Sequence, residues 1–218
     1  MTGWYDLSQE FYDGMPHSSV HPTPTLETLS CVEEDTFNVQ QFTAVTHVCT
    51  HIDAPKHFVP DGAPIDEIDL ETFAGEGVVV DVSREEATEI TLDEFRAAPG
   101  DVKRGDIVLV YTGWCHRYGD DGYEPHPWLA TDLAEWLVER EVKLVGLDVI
   151  TPDLTSPYRE EGWTEYPVHR TLLENDVLIA EHLGGLEAIA GERLEVYAFP
   201  IKVRNGDGAQ ARFVGRIT

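Results

Sequence analysis

The stretch Thr46-His47-Val48-Cys49-Thr50-His51-Ile52-Asp53-Ala54-Pro55-Lys56-His57-Phe58 places three imidazoles and a carboxylate, His47, His51, Asp53 and His57, within eleven residues. All four occupy odd positions. On an extended strand alternate side chains share a face, so the spacing predicts a strand that presents the four together. A helix would also pair His47 with His51, but it would turn Asp53 away from both. It conflicts as well with the β-branched Thr46, Val48, Thr50 and Ile52 and with Pro55. Neutral imidazole and carboxylate suit Zn²⁺, Mn²⁺ or Fe²⁺, and three such ligands leave positions for water, the layout of a catalytic rather than a closed structural centre. Any one of these histidines would sit as readily on a half-buried sheet; the whole set at this spacing argues for a metal.

The segment resembles the signature of the metal-dependent cyclase-like hydrolase family, which includes bacterial kynurenine formamidases and isatin hydrolases. That signature reads His-x-Gly-Thr-His-x-Asp-x-Pro-x-His, and every fixed position matches except Cys49, which stands where the family has glycine. Cys49 reads as a small, buried filler on the ligand face, with a thiolate ligand as the rarer alternative. The resemblance extends over nearly the whole chain. Tyr5-Asp6-Leu7-Ser8 is similar to the family's opening strand, Gly146-Leu147-Asp148 to its central strand end, and Gly206-Asp207-Gly208 with Arg212 to its closing hairpin. The run His169 to Glu181 resembles the segment in which the family carries a histidine near a helix start and a glutamate at the end of the next strand.

That second segment also reads on its own. Pro167 suits the first position of a helix over Val168 to Glu174, Asn175-Asp176 stops it, and Val177 to Ala180 is an apolar strand that delivers Glu181 at its end. His182 would point to the opposite face of a continuing strand and is not included in the site. The family resemblance implies two divalent ions, Zn²⁺ or alternatively Mn²⁺, sharing Asp53: His47, His51 and Asp53 around one, Asp53, His169 and Glu181 around the other. It implies His57 as the general acid/base, a role that an unperturbed pKa near 6.5 suits. By itself His57, beyond Pro55, is equally a third ligand or a surface histidine.

The chain has 218 residues, 41 Asp and Glu against 15 Lys and Arg, and a formal net charge of -26. Nucleic acid and anionic membranes are excluded as expected partners, because phosphate binding needs a basic patch. The acidity is spread along the chain, and Lys56, Lys103, Lys143 and Lys202 are its only lysines. This balance resembles proteins of salt-loving microbes, in which high ionic strength screens self-repulsion. No basic start followed by an apolar run is present, and no stretch has the length and apolarity of a membrane span, so a cytoplasmic protein is expected. Cys31, Cys49 and Cys115 form no paired motif.

One domain over residues 1–218 is expected. Val78 to Val82, Asp106 to Tyr111 and Lys143 to Val149 read as strands, Thr91 with Glu94 as a capping box, and Thr131 as the cap of a helix to about Glu141. Tyr197 to Val203 and Ala209 to Ile217 read as a hairpin. Long irregular stretches remain at Asp13 to Thr25, Thr112 to His126 and Thr151 to Pro167, and loops of that length are usually functional. The class is α/β, and the family resemblance implies a swivelling β/β/α fold with a central barrel-like β core.

Phosphate loops, a nucleophile-elbow serine and a dinucleotide fingerprint are absent. What remains is metal-assisted hydrolysis, and the family resemblance implies an amide substrate, either a formamide or a cyclic amide, with N-formyl-L-kynurenine foremost, and a homodimer or homotetramer. The aromatics Phe11, Tyr12, Trp114, Tyr158, Trp163 and Tyr166 lie on the irregular stretches and are candidates to stack on an aryl substrate. The alternative is a protein of the same fold that binds metal or a small ligand without hydrolytic turnover.

Overall fold

The computed structural model describes residues 3–217. Its strands are β1 (Gly3–Asp6), β2 (Thr25–Ser30), β3 (Val39–Thr43), β4 (His51–Asp53), β5 (Ala74–Asp81), β6 (Glu89–Ile90) and β7 (Ile107–Tyr111). They continue with β8 (Trp128–Leu129), β9 (Leu144–Leu147), β10 (Leu178–Glu181), β11 (Arg193–Tyr197), β12 (Gly208–Gln210) and β13 (Val214–Ile217). The helices are α1 (Val32–Asp35), α2 (Leu92–Ala97), α3 (Thr131–Glu139) and α4 (Pro167–Leu173).

Nine strands form one mixed sheet in the order β1-β13-β11-β5-β7-β9-β10-β4-β12. β5, β7, β9 and β10 run parallel at its centre, and every other pairing in it is antiparallel. A parallel strand buried on both faces needs an unbroken apolar run, which Val78-Val79-Val80 and Ile107-Val108-Leu109-Val110 supply. One face packs on α2, α3 and α4 through Val80, Val110, Phe95, Leu133, Leu137 and Leu172. The opposite face encloses Leu7, Ile52, Leu109, Ala180, Leu183 and Phe213.

The chain connectivity forces this sheet to curl. β12 and β13 stand seven places apart in the strand order yet are joined by residues 211–213 alone. Flat, seven steps would separate them by roughly 34 Å, whereas a linker this short spans at most about 14 Å. The barrel-like core expected from the family resemblance is therefore a strongly curled sheet, with Ser8 beyond β1 bridging back to Leu183 beyond β10.

Three local readings are corrected. Residues 46–58 are not one strand: β4 covers His51–Asp53 only, preceded by a bend at residues 46–50 and followed by a 3-10 turn at Pro55–His57. The break is at Cys49, whose φ of 57° lies in the left-handed region, where glycine is at ease and other residues are strained. The closing segment is not a simple hairpin, because β12 pairs with β4 while β13 pairs with β11 and β1. Thr131 is the first residue of α3, and Ala130 takes the cap position. The Thr91–Glu94 capping box forms as expected.

Candidate metal centre

β4, β10 and α4 bring their polar residues to one end of the curled sheet. Asp53 and Ile179 are register partners across β4 and β10, as are His51 and Glu181, so His51, Asp53 and Glu181 stand together. α4 begins at Pro167 and puts His169 one turn inside, where Asp153 holds it. The Asp153 carboxylate accepts from the backbone N–H of Val168 (2.9 Å) and of His169 (3.1 Å), and from His169 Nδ1 (2.6 Å).

The hydrogen bonds fix the ring orientations. His51 Nδ1 lies 2.7 Å from the Cys49 carbonyl, which can only accept, so Nδ1 carries the proton and Nε2 presents its lone pair to the site. His169 is turned the same way by Asp153. The two Nε2 atoms then face carboxylates: His51 Nε2 is 3.3 Å from both Asp53 Oδ1 and Glu181 Oε2, and His169 Nε2 is 3.4 Å from Asp53 Oδ2 and Glu181 Oε1. While the rings are neutral, the form that binds a metal, acceptors face acceptors with no donor between them. His51 Nε2, Asp53 Oδ2 and Glu181 Oε1 are buried and have no hydrogen-bond partner. A buried polar atom without a partner is costly, and a shared cation removes the cost for all three.

Proton affinities describe the same field. Burial pulls His51 down, but its bonds to Asp53 and Glu181 outweigh burial and push it up to about 10. For His47 burial is again outweighed, by the Asp53 charge and the Asp207 bond, and the value rises to about 9. Burial would raise Asp53, yet the His47 charge and the imidazole bonds hold it well below the usual carboxylate range. Glu181 falls to about 2, as the bonds from His169 and His51 outweigh burial and the Asp53 charge. A site that binds protons this tightly is a site for positive charge, and a divalent cation competes for the same lone pairs.

His47 lies on the bend before β4, with Nδ1 2.6 Å from Asp53 Oδ1 and Nε2 3.1 Å from Asp207 Oδ2. Gly208 makes room for it: a Cβ there would stand 2.8 Å from His47 Cε1. His57 stacks on His47 and approaches Asp207 Oδ2 at 3.9 Å. Burial, opposed by Asp53 and aided by His47 and His169, lowers His57 to about 4. Three sets have ligand atoms within 4.8 Å of one another: Asp53 with His169 and Glu181, His47 with Asp53 and His57, and His51 with Glu181 and His182. All six residues singled out in the sequence thus converge.

The chain is also similar to known proteins. The family model described as "Putative cyclase" matches residues 5–154. The chain belongs to that cyclase family. It is 31% identical over 218 residues to the kynurenine formamidase of Geobacillus thermodenitrificans, covering 97% of this chain and 96% of the relative. It is 27% identical to a "predicted metal-dependent hydrolase from Bacillus stearothermophilus", with a TM-score of 0.79 over 99% of this chain and 98% of that one. Isatin hydrolase A from Ralstonia solanacearum shares the fold, with a TM-score of 0.86, 24% identity and coverage of 100% and 92%. This cyclase-family protein is a hydrolase of amide C–N bonds with a cluster suited to a divalent metal.

Sequence reasoning missed several neighbours of the cluster. Asp153 gives no sequence signal, because it comes from an irregular stretch and acts only by holding His169. Asp207 sits in the Gly-Asp-Gly turn and accepts from Thr46 Oγ1 at 2.9 Å. His182 was expected to face away, but its φ of 56° ends the strand at Glu181 and keeps it in the site, with Nδ1 3.0 Å from the Tyr123 hydroxyl. Beside the cluster opens a pocket of about 230 Å³, lined among others by His21, Phe58, Arg159, Tyr166 and His182. Of the six aromatics singled out, Tyr166 alone lines it, and Trp114 is core. Among the described residues no helix is long and apolar enough to cross a membrane.

Proposed function

We propose that the chain hydrolyses an aryl formamide, with N-formyl-L-kynurenine, giving kynurenine and formate, as its leading substrate. The observation that carries this reading is the convergence of two inward imidazole lone pairs and two buried carboxylates beside an aromatic-walled pocket. Asp53, His169 and Glu181 form a set that suits one divalent cation, and Asp53 also stands beside His47 and His51, which supports a second. His47, His51 and Asp53 would hold one, and Asp53, His169 and Glu181 the other, with Zn²⁺ the first assignment and Mn²⁺ the second. When bound, such ions polarise the substrate carbonyl and lower the pKa of water toward neutrality.

The chain's own residues supply the rest. His57, half-buried and kept in its neutral form by its surroundings, accepts a proton from the attacking water as the water oxygen bonds to the formyl carbon. It returns that proton to the aryl nitrogen as the C–N bond breaks, so the products are a neutral amine and formic acid, which releases its proton to solvent to become formate. Asp153 and the Cys49 carbonyl keep His169 and His51 turned inward. The Phe58 ring, 4.7 Å from that of His169 and 5.3 Å from that of Tyr166, gives an aryl substrate an apolar wall and excludes water.

The deciding experiment measures turnover of N-formylkynurenine, formanilides and lactams by metal-loaded and metal-stripped protein, with metal content determined in wild type and Glu181→Ala. Hydrolysis that requires the metal supports the reading. Full metal stoichiometry with no turnover of any amide leaves the alternative, a binding protein of this fold.

Homo-oligomerisation belongs to the same proposal. β2 and β3 form a separate two-stranded sheet on which Leu29, Val39 and Phe42 are exposed, near exposed Val32 and Phe37. A lone hairpin is marginally stable, and an exposed apolar patch of this kind suits a second copy. Light scattering that reports a 24.4 kDa particle rejects the dimer and the tetramer alike.

A further inference from the structure

We infer that Arg159 is the recognition site for a carboxylate on the substrate, so that the pocket selects an aryl amide that carries a carboxylate over one that does not. The inference rests on the amide-hydrolase reading and adds the substrate's charge to it.

Arg159 is pre-organised. Its Nε donates to the Leu154 carbonyl at 2.7 Å and its Nη1 to the Tyr166 hydroxyl at 3.1 Å. The guanidinium lies 4.4 Å from the Trp163 ring centroid and 4.9 Å from that of Tyr166. A fork held by two hydrogen bonds and two aromatic faces has little rotamer freedom left to lose on binding. Among the described residues its Nη2 has no hydrogen-bond partner, and no carboxylate lies within ion-pair distance. Arg96, Arg140, Arg170 and Arg204 likewise have no carboxylate within ion-pair distance among the described residues, so the place of Arg159 in the fold sets it apart. Arg84, Arg193 and Arg212 each have a carboxylate within reach, whereas Arg159 instead lines the pocket beside the metal cluster.

Position adds the rest. Tyr166 separates Arg159 from His169, the rings of Tyr166 and His169 standing 5.9 Å apart. An aryl ring against Phe58 and Tyr166, with its amide toward Asp53 and Glu181, directs a substituent on its far side to the guanidinium. The whole protein is strongly acidic. A carboxylate held away from the metal cluster therefore needs a cation of its own, and among the described Lys and Arg side chains Arg159 alone lines the pocket. Bidentate recognition of a carboxylate is the chemistry to which the fork is matched.

The test compares N-formyl-L-kynurenine with its carboxyl methyl ester, which keeps the ring, the formamide and the α-ammonium and removes the carboxylate charge. kcat/KM is measured for both with wild type, Arg159→Met and Arg159→Lys at constant ionic strength. Wild type is expected to prefer the acid by about tenfold or more, Arg159→Met to lose that preference by about tenfold to a hundredfold, and Arg159→Lys to keep part of it. An unchanged acid-to-ester ratio in Arg159→Met, including an equal loss on both substrates, overturns the inference, as does a wild type with no preference. If metal-loaded wild type hydrolyses neither compound, the hydrolase reading fails and binding of L-kynurenine to metal-stripped protein decides. A dissociation constant at least tenfold weaker in Arg159→Met upholds the carboxylate site, and equal constants dismiss it.

Discussion

His57 stacks on His47, with ring centroids 3.8 Å apart and planes inclined by 23°. The stack sets His57 at the edge of the cluster, between Asp53 and the open pocket, where a proton carrier has to be. His57→Ala is expected to lower turnover by about 10²–10⁴ while leaving the metal content unchanged. Loss of metal in parallel with activity would make His57 a ligand, and unchanged turnover would remove it from the mechanism.

Asp153 acts through His169. Replacing the carboxylate in Asp153→Asn keeps the shape but removes the charge that holds the Nδ1 proton, and metal affinity is expected to fall by about 10–100-fold. Competition titration against a chromophoric chelator measures it. An affinity equal to wild type would show that α4 alone orients His169.

In metal-free protein the raised imidazoles stabilise the fold only while protonated. His47 and His51 are pushed up to about 9 and about 10, against about 6.5 in an unfolded chain. Their contribution is complete below about 6.5 and is lost as pH rises through the folded values. The melting temperature of chelator-treated protein is thus expected to fall between about pH 6.5 and 10, while apparent metal affinity rises over the same range as protons cease to compete. Calorimetry showing a stripped protein more stable at the alkaline end would contradict the first, and a pH-independent affinity the second.

Cys49 occupies the left-handed position at which the family signature has glycine. Cys49→Gly relieves the backbone strain and loses a buried sulfur that lies 3.5 Å from the Gln9 carbonyl, so stability is expected to stay within about 1 kcal/mol of wild type. Cys49→Val puts a β-branched side chain at positive φ and is expected to cost about 2 kcal/mol or more. Equal urea midpoints for the valine variant and wild type would refute the strain argument.

The net charge of -26 is expected to make stability depend on salt, since unscreened repulsion opposes the compact state. Unfolding followed from low to molar KCl should show a rising melting temperature. A flat profile rejects the salt-loving character read from the composition.

The members of the cluster were legible in the sequence because the chemistry of imidazole and carboxylate is local to the residue. His47, His51, Asp53 and His57 lie within eleven residues, and Pro167 and Asn175-Asp176 bracket the helix that carries His169. The central strands were equally legible as strands, because a strand buried on both faces must be apolar throughout, but their order and direction were not. Nor was the arrangement of the cluster. Odd spacing placed four side chains on one strand face, but a positive φ at Cys49 and a 3-10 turn at Pro55 bend the chain, and the cluster forms by curvature instead of alternation. A second positive φ, at His182, brought in a residue that alternation had turned away. Asp153, Asp207 and Arg159 acquire meaning only through partners distant in the chain. Long-range contacts of this kind are set by how nine strands close on one another, and the tertiary structure alone decides them.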